Sequence, residues 1–455
     1  MGFMSTSIFE DKKKSRLLWG LLLVISCIFY LIWYWHDGVI MSVDGPTYVS
    51  MESGREPAYP VLLWIFRTIF GTGIYLDIVV ILQCVAAGIA AVVLAKSLQE
   101  LFDLNLGTVL LILFIEYGVT LLNRFVAQRR YSYYNSICTE AWAYSLWILL
   151  FVSLAGILYK KDRKYVVISL VWCIILCSIR KQMLISFCLL FIVLVYRGWK
   201  DKKIWKNILW AFLLVVIGLL ATRTIDRTYN YVVRGEFEPH TGDSSFIFGN
   251  EIYVADTSMA QYIDSEVNRE LFLEIMRRAD ENQYNIVYAG EGWMSQQDHY
   301  SSSYDRIKFN TTMVVIREYL RGEGIADEQF NEYYEKIADE MTKDLLVPCI
   351  PGMLRVFGNN VIAGFITTVL KVHSILNWGA LLLYVMYIAL LIYMFKKHGK
   401  SVPIAVLVLL AIIINVVFTS LTIYCQMRYA LYNTALFYQA GLIMTVEAVR
   451  MNRKK

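Results

Sequence analysis

The chain has 455 residues, of which 57% are hydrophobic and only 18% charged, with a formal net charge of +5 and a mean hydropathy of +0.49. A soluble domain carries about a quarter charged residues and does not repeat apolar runs of near twenty residues. An ordinary soluble globular protein is therefore excluded, and the small positive charge, split into short clusters between apolar runs, excludes a nucleic-acid partner in favour of membrane lipids. Of the eight cysteines, five (Cys27, Cys84, Cys173, Cys177 and Cys188) lie in those runs as small hydrophobes, and no CxxC pair is present.

In chain order, Lys12-Lys-Lys-Ser-Arg precedes an apolar run over 17–35, predicted as a retained first span with its N-terminal side cytoplasmic. A polar outer loop over 37–58 follows, and 59–70, too short to span and carrying Arg67, is expected as an interfacial helix. Further spans are predicted at about 74–95, 107–123, 138–158, 164–178, 183–197 and 207–222. From Thr224 to Asn359 the chain turns polar and too long for a connection, predicting an extracytoplasmic, mainly helical domain. Val356 to Val372 is expected as a second interfacial helix, and spans at 376–395, 403–424 and 430–448 close the chain. The fold class is thus an all-α polytopic membrane protein of about ten transmembrane helices, both termini inside. Its modules are 1–223 (with the loop 37–73), 224–359 and 360–455. Internal repeats of the kind many transporters carry are absent from the sequence.

The loop 37–73 is the most informative segment: Val43-Asp-Gly-Pro-Thr-Tyr, then Gly54-Arg-Glu-Pro-Ala-Tyr-Pro-Val-Leu-Leu-Trp, then Phe70-Gly71. It sets Asp44 on a Gly-Pro turn at the membrane surface, where a partly dehydrated carboxylate can serve as a general base, although Asp-Gly-Pro is turn chemistry in any case. Asp37, Glu52 and Glu56 are its rivals. Glu140 stands at the start of a span, as a second acidic group or as a carboxylate favoured by the helix dipole. Glu116 is an ionisable group within a span. Cations on the same predicted side are Arg55, Arg129, Arg130, Arg180, Lys181 and Arg428.

The order Asp44, Tyr48, Pro57, Tyr59-Pro60, Phe70-Gly71, with Thr139-Glu140 and Arg428-Tyr429, resembles the GT-C superfamily of integral-membrane glycosyltransferases. Its bacterial members use polyprenyl-phosphate sugars and are related to protein O-mannosyltransferases and the aminoarabinose transferase. The resemblance implies Asp44 and Glu140 as catalytic groups. It also implies that Arg428, Tyr429, Tyr48 and Tyr59 bind a polyprenyl-phosphate-linked sugar and an extracytoplasmic glycan or lipid-linked acceptor; Arg180 and Lys181, two cations on a tight outer hairpin, and Arg55 in the outer loop are further candidates for the phosphate. No cofactor follows with certainty; a divalent cation is the one candidate metal. A polysaccharide polymerase or ligase of the other GT-C architecture, and a transporter or flippase, are the competing readings.

Overall fold

The computed structural model describes residues 7–127, 131–202, 204–240 and 244–453. They divide into two compact units: one takes the chain up to Pro239 with Trp378–Ile414 and everything from Met427, the other takes His240–Asn377 with Asn415–Gln426.

In the first unit, α1 (Ser7–Glu10) leads into α2 (Lys12–Asp37), whose first free amides, on Lys13 and Lys14, are capped by the Asp11 carboxylate. The strand β1 (Ile40–Met41) and the short helices α3 (Gly45–Val49) and α4 (Ala58–Phe70) form the polar loop. The helices α5 (Tyr75–Phe102) and α6 (Leu106–Phe125) follow, then β2 (Ser136–Ile137), α7 (Thr139–Tyr159), α8 (Arg163–Ile179), α9 (Ile185–Lys200) and α10 (Ile204–Arg234). The helix α2 lies close on α5: a Cβ at Gly88 would come within 2.9 Å of the Cys27 backbone nitrogen, so only glycine permits the approach.

The second unit contains α11 (Ser244–Val254), α12 (Glu266–Glu281), α13 (Trp293–Asp305), a π-helical turn over Arg306–Thr312, α14 (Met313–Gly322) and α15 (Phe330–Val369). Its core is rich in tyrosine: the Tyr300 hydroxyl meets Asn250 at 2.5 Å, and Tyr424 donates to Asp305 at 3.0 Å. The chain ends with α16 (Leu376–Lys396), α17 (Val402–Thr422) and α18 (Met427–Arg453).

Nine helices among the described residues are long and apolar enough to cross a membrane: α2, α5, α6, α7, α9 with the turn before it, α10, α15, α16 and α17. This supports a mainly helical, multi-pass membrane protein. Three elements differ from expectation. The 164–178 run forms α8, whose 17 residues reach about 26 Å at 1.5 Å per residue, short of a hydrocarbon core of roughly 30 Å. The 430–448 run lies in α18, long enough at 27 residues but kept out of the nine by an inward polar set that includes Asn433 and Gln439. The helix expected from Val356 to Val372 is the second half of one 40-residue helix, α15, continuous through Pro348 and Pro351. Packing against α11 holds it there, since Gly352 leaves no room for a Cβ beside Val254 (2.7 Å).

The second unit also buries a carboxyl without a charge partner. Glu251 on α11 is 0% exposed and no well-aligned hydrogen bond reaches either carboxyl oxygen. Burial pushes its pKa up to about 8, with the Thr342 hydroxyl acting the other way. Between about pH 4.5 and 8 the folded form keeps a proton that the unfolded form has lost, so stability falls as pH rises through that window. Hydrogen-exchange protection of residues 244–254, corrected for intrinsic rates, is expected to weaken from pH 5 to pH 8 in the wild type. In Glu251→Gln it is expected to stay flat and to exceed the wild type at pH 8.

Candidate functional site

The site is assembled by a two-residue parallel bridge. Ile40 pairs with Ser136 and Met41 with Ile137, and the Ser42 hydroxyl donates to the Ile137 carbonyl at 2.6 Å. This stitches the Asp44 loop to the first turn of α7, where Thr139 and Glu140 stand, across about ninety residues of sequence. Below the bridge Gln83 of α5 donates to the carbonyls of Tyr134 (3.1 Å) and Ser136 (3.0 Å) and accepts from the Tyr59 hydroxyl (3.0 Å). Buried Tyr59 is thus a tie between α4 and α5, and Tyr48, edge-on to it at 5.3 Å, is the next ring outward.

Two carboxylates and three guanidiniums meet above these rings. Asp44 Oδ1 lies 3.0 Å from Arg55 Nη2, and its Oδ2 lies 3.5 Å from Arg428 Nη1. Glu140 Oε1 lies 3.0 Å from Arg180 Nη1 and 3.6 Å from Arg428 Nη1. Arg428 therefore bridges the two acids. The side chains differ in access: Glu140 is 3% exposed, Arg180 and Arg428 are 13%, and Asp44 is 29%. Of the two acids, Asp44 is the one a substrate can reach.

Tyrosines and hydroxyls hold the cations in place. Arg55 donates from Nε to the Thr47 hydroxyl at 2.7 Å and stacks over the Tyr48 ring at 4.7 Å. Burial works against its charge, but Tyr48 and Asp44 outweigh that and raise its pKa above the ordinary arginine value. Burial likewise pushes the Tyr48 hydroxyl well above its usual range, with Arg55 opposing, so this tyrosine stays neutral. Arg180 donates to the Thr139 hydroxyl at 3.0 Å, and both Arg180 and Arg428 lie over the face of Tyr429, at 5.0 and 4.8 Å. Arg428 also donates to the Tyr429 hydroxyl at 2.7 Å, and its carbonyl accepts from the Tyr144 hydroxyl at 2.7 Å.

Asp44, Glu140, Arg55, Arg180, Arg428, Tyr48 and Tyr429 thus come together. The Lys181 backbone amide donates to Glu56 at 2.7 Å, and the residue is exposed. Asp37 belongs elsewhere, accepting from Arg124 at 3.0 Å and bonded to His36 at 2.8 Å. Glu116 accepts from Gln439 at 3.0 Å inside the bundle. Arg129 and Arg130 lie outside the described residues. Sequence reasoning passed over Gln83 and Tyr144; an amide within an apolar run was the available signal for the first.

No protein-family model matches this chain, and no curated protein matches it. Chemical character must therefore be read from the cluster itself. Among the described residues no group of three or more His, Cys, Asp or Glu could hold a metal ion. The two acids here already face guanidiniums, and planar guanidiniums are the groups that recognise carboxylate and phosphate anions.

Separating roles is straightforward by substitution. Glu140→Gln leaves two buried guanidiniums short of a counter-charge, and breaking such a pair costs about 3–5 kcal/mol; a large drop in thermal midpoint of the purified protein is expected. Tyr59→Phe strands the Gln83 carbonyl at a cost of about 1–3 kcal/mol, with the smaller midpoint drop and no change in anion binding.

Proposed function

We propose that the protein is a membrane glycosyltransferase that moves a sugar from a polyprenyl-phosphate donor to an extracytoplasmic glycan or lipid-linked acceptor. The observation that carries this reading is the cluster of Arg55, Arg180 and Arg428 built round one accessible carboxylate, Asp44, in a chain of apolar helices. An inverting transfer requires three things of a protein: a base for the attacking hydroxyl, neutralisation of the departing phosphate, and geometric alignment of the two. The order of motifs along the chain supports the same choice.

In this reading Asp44 takes the proton of the acceptor hydroxyl. The oxygen attacks the anomeric carbon, the bond to the phosphate oxygen breaks, and polyprenyl phosphate leaves with the bonding pair. Arg428 and Arg180 receive that charge. Glu140, too buried to touch a substrate, acts as a positioning residue that holds both arginines. Asp44 faces two guanidiniums. Its longer contact, 3.5 Å to Arg428, is the one a donor phosphate would replace, so donor binding frees Asp44 as it brings the reaction partner. The site faces the outer side of a plasma membrane in this proposal.

The test is turnover of a panel of polyprenyl-phosphate monosaccharides with candidate acceptors, following release of polyprenyl phosphate. Asp44→Asn is expected to lower kcat by about 10²–10⁴-fold, the usual contribution of a general base, while donor binding persists. Arg428→Ala is expected to weaken both donor binding and kcat. Transfer that Asp44→Asn leaves intact would move the base elsewhere. No donor turned over by folded wild-type protein would remove the transferase reading.

A further inference from the structure

A carboxyl that the proposed transfer does not use lies near the middle of α6. Glu116 is 5% exposed, and the Gln439 amide of α18 donates to its Oε2 at 3.0 Å and to the Ile112 carbonyl at 3.2 Å. Among the described residues no lysine or arginine pairs with it. An isolated carboxylate at such a depth is costly, and the cheaper state is the neutral acid. The neutral acid carries an O–H that needs an acceptor, and the Gln439 N–H is a donor.

Glu116 lines a small cavity within the first unit, together with Tyr134, Tyr144 and Tyr432. Its volume is about 10 Å³, close to the roughly 10–15 Å³ that one water requires. Rings enclose it: Tyr134 is edge-on to Tyr30 at 4.8 Å, and Tyr432 to Tyr144 at 4.3 Å. The Tyr134 hydroxyl is within electrostatic reach of Glu116 and Tyr432, and the Tyr432 hydroxyl within reach of Arg180, Glu140 and Arg428. Two atoms near the arginines are buried without a hydrogen bond among the described residues, the Tyr432 hydroxyl and Arg428 Nε. Tyr432 follows Arg428 by about one turn of α18, and helical side chains lean toward the helix N-terminus, which aims this ring back at that arginine.

We propose that the cavity is a water site, and that Glu116 is a neutral acid which positions Arg428 through that water and Tyr432. The water accepts from Glu116 and from Tyr432 and donates to Tyr134. With its own proton turned into the cavity, the Tyr432 oxygen is free to accept from Arg428 Nε. Glu116 touches no substrate and is a positioning residue. Its bearing on sugar transfer rests on the transferase reading above, whereas the water, the proton and the hold on Arg428 do not.

The experiment uses the full-length protein in nanodiscs at neutral pH. An infrared difference spectrum, wild type minus Glu116→Gln, is expected to show the C=O band of a protonated carboxyl. That band is expected to shift when Tyr432→Phe or Tyr134→Phe removes a hydroxyl, with thermal midpoints checking that each variant folds. The second readout is calorimetric binding of inorganic phosphate. Glu116→Leu, which a membrane helix accepts, is expected to weaken binding about tenfold, the upper weight of one net hydrogen bond. Glu116→Gln, neutral and still a donor, is expected to bind near the wild-type strength, a rescue that a charged Glu116 would not permit. A difference spectrum without the band overturns the neutral acid. A band that answers to Gln439→Leu and to neither tyrosine, or phosphate binding no weaker in Glu116→Leu, overturns the relay. Those results leave the transferase standing; band and binding as expected with no donor turned over remove the transferase alone.

Discussion

The Glu140 carboxylate, lodged between Arg180 and Arg428 at the end of a helix that is otherwise apolar, is the contact that the first unit is organised around. Each ion taken out of water costs several kcal/mol, and mutual attraction repays it only with good geometry and satisfied hydrogen bonds. The requirement propagates outward. Thr139 must accept from Arg180, Tyr429 must present its face to both guanidiniums, and Tyr144 must fix the carbonyl of Arg428. Three aromatic or hydroxyl partners and a second acid surround the two bases that bracket this one buried acid.

The same constraint explains why so small a sheet matters. Two residue pairs of parallel strand add little stability by themselves, yet they fix Asp44 against α7. Without that bridge the surplus charge of Arg428 would have no second carboxylate, since Asp44 reaches it across a loop rather than along a helix. Gln83 then anchors the backbone on which the bridge rests, using both ends of its amide. An amide in an apolar helix is tolerated when every polar atom has such work.

What could be read from the sequence follows from which interactions are local. Apolar run lengths revealed the helices, because a bilayer imposes its thickness on each segment separately. The cluster Asp44, Arg55, Tyr48 is also local, spanning twelve residues, and was legible as a loop with charge. Glu140 and Arg428 could be nominated by motif order, but their bridging through a single guanidinium is a tertiary fact with no periodic signature. The helix expected from Val356 is part of α15, which runs through Pro348 and Pro351 because packing against α11 overrides local propensity. The span expected to end near 222 continues as α10 to Arg234.

Access is the step that leads from structure to chemistry. A purely structural network would be matched and sealed, since an unmatched buried charge is the costly case. Here the acid left partly exposed, Asp44, lies 3.0 Å from Arg55 and 3.5 Å from Arg428. On the proposed transferase reading, an incoming phosphate would meet Arg428 where its contact with Asp44 is 3.5 Å, and Asp44, 29% exposed, would be left to the acceptor hydroxyl. A cation in the same place would find both acids already facing guanidiniums.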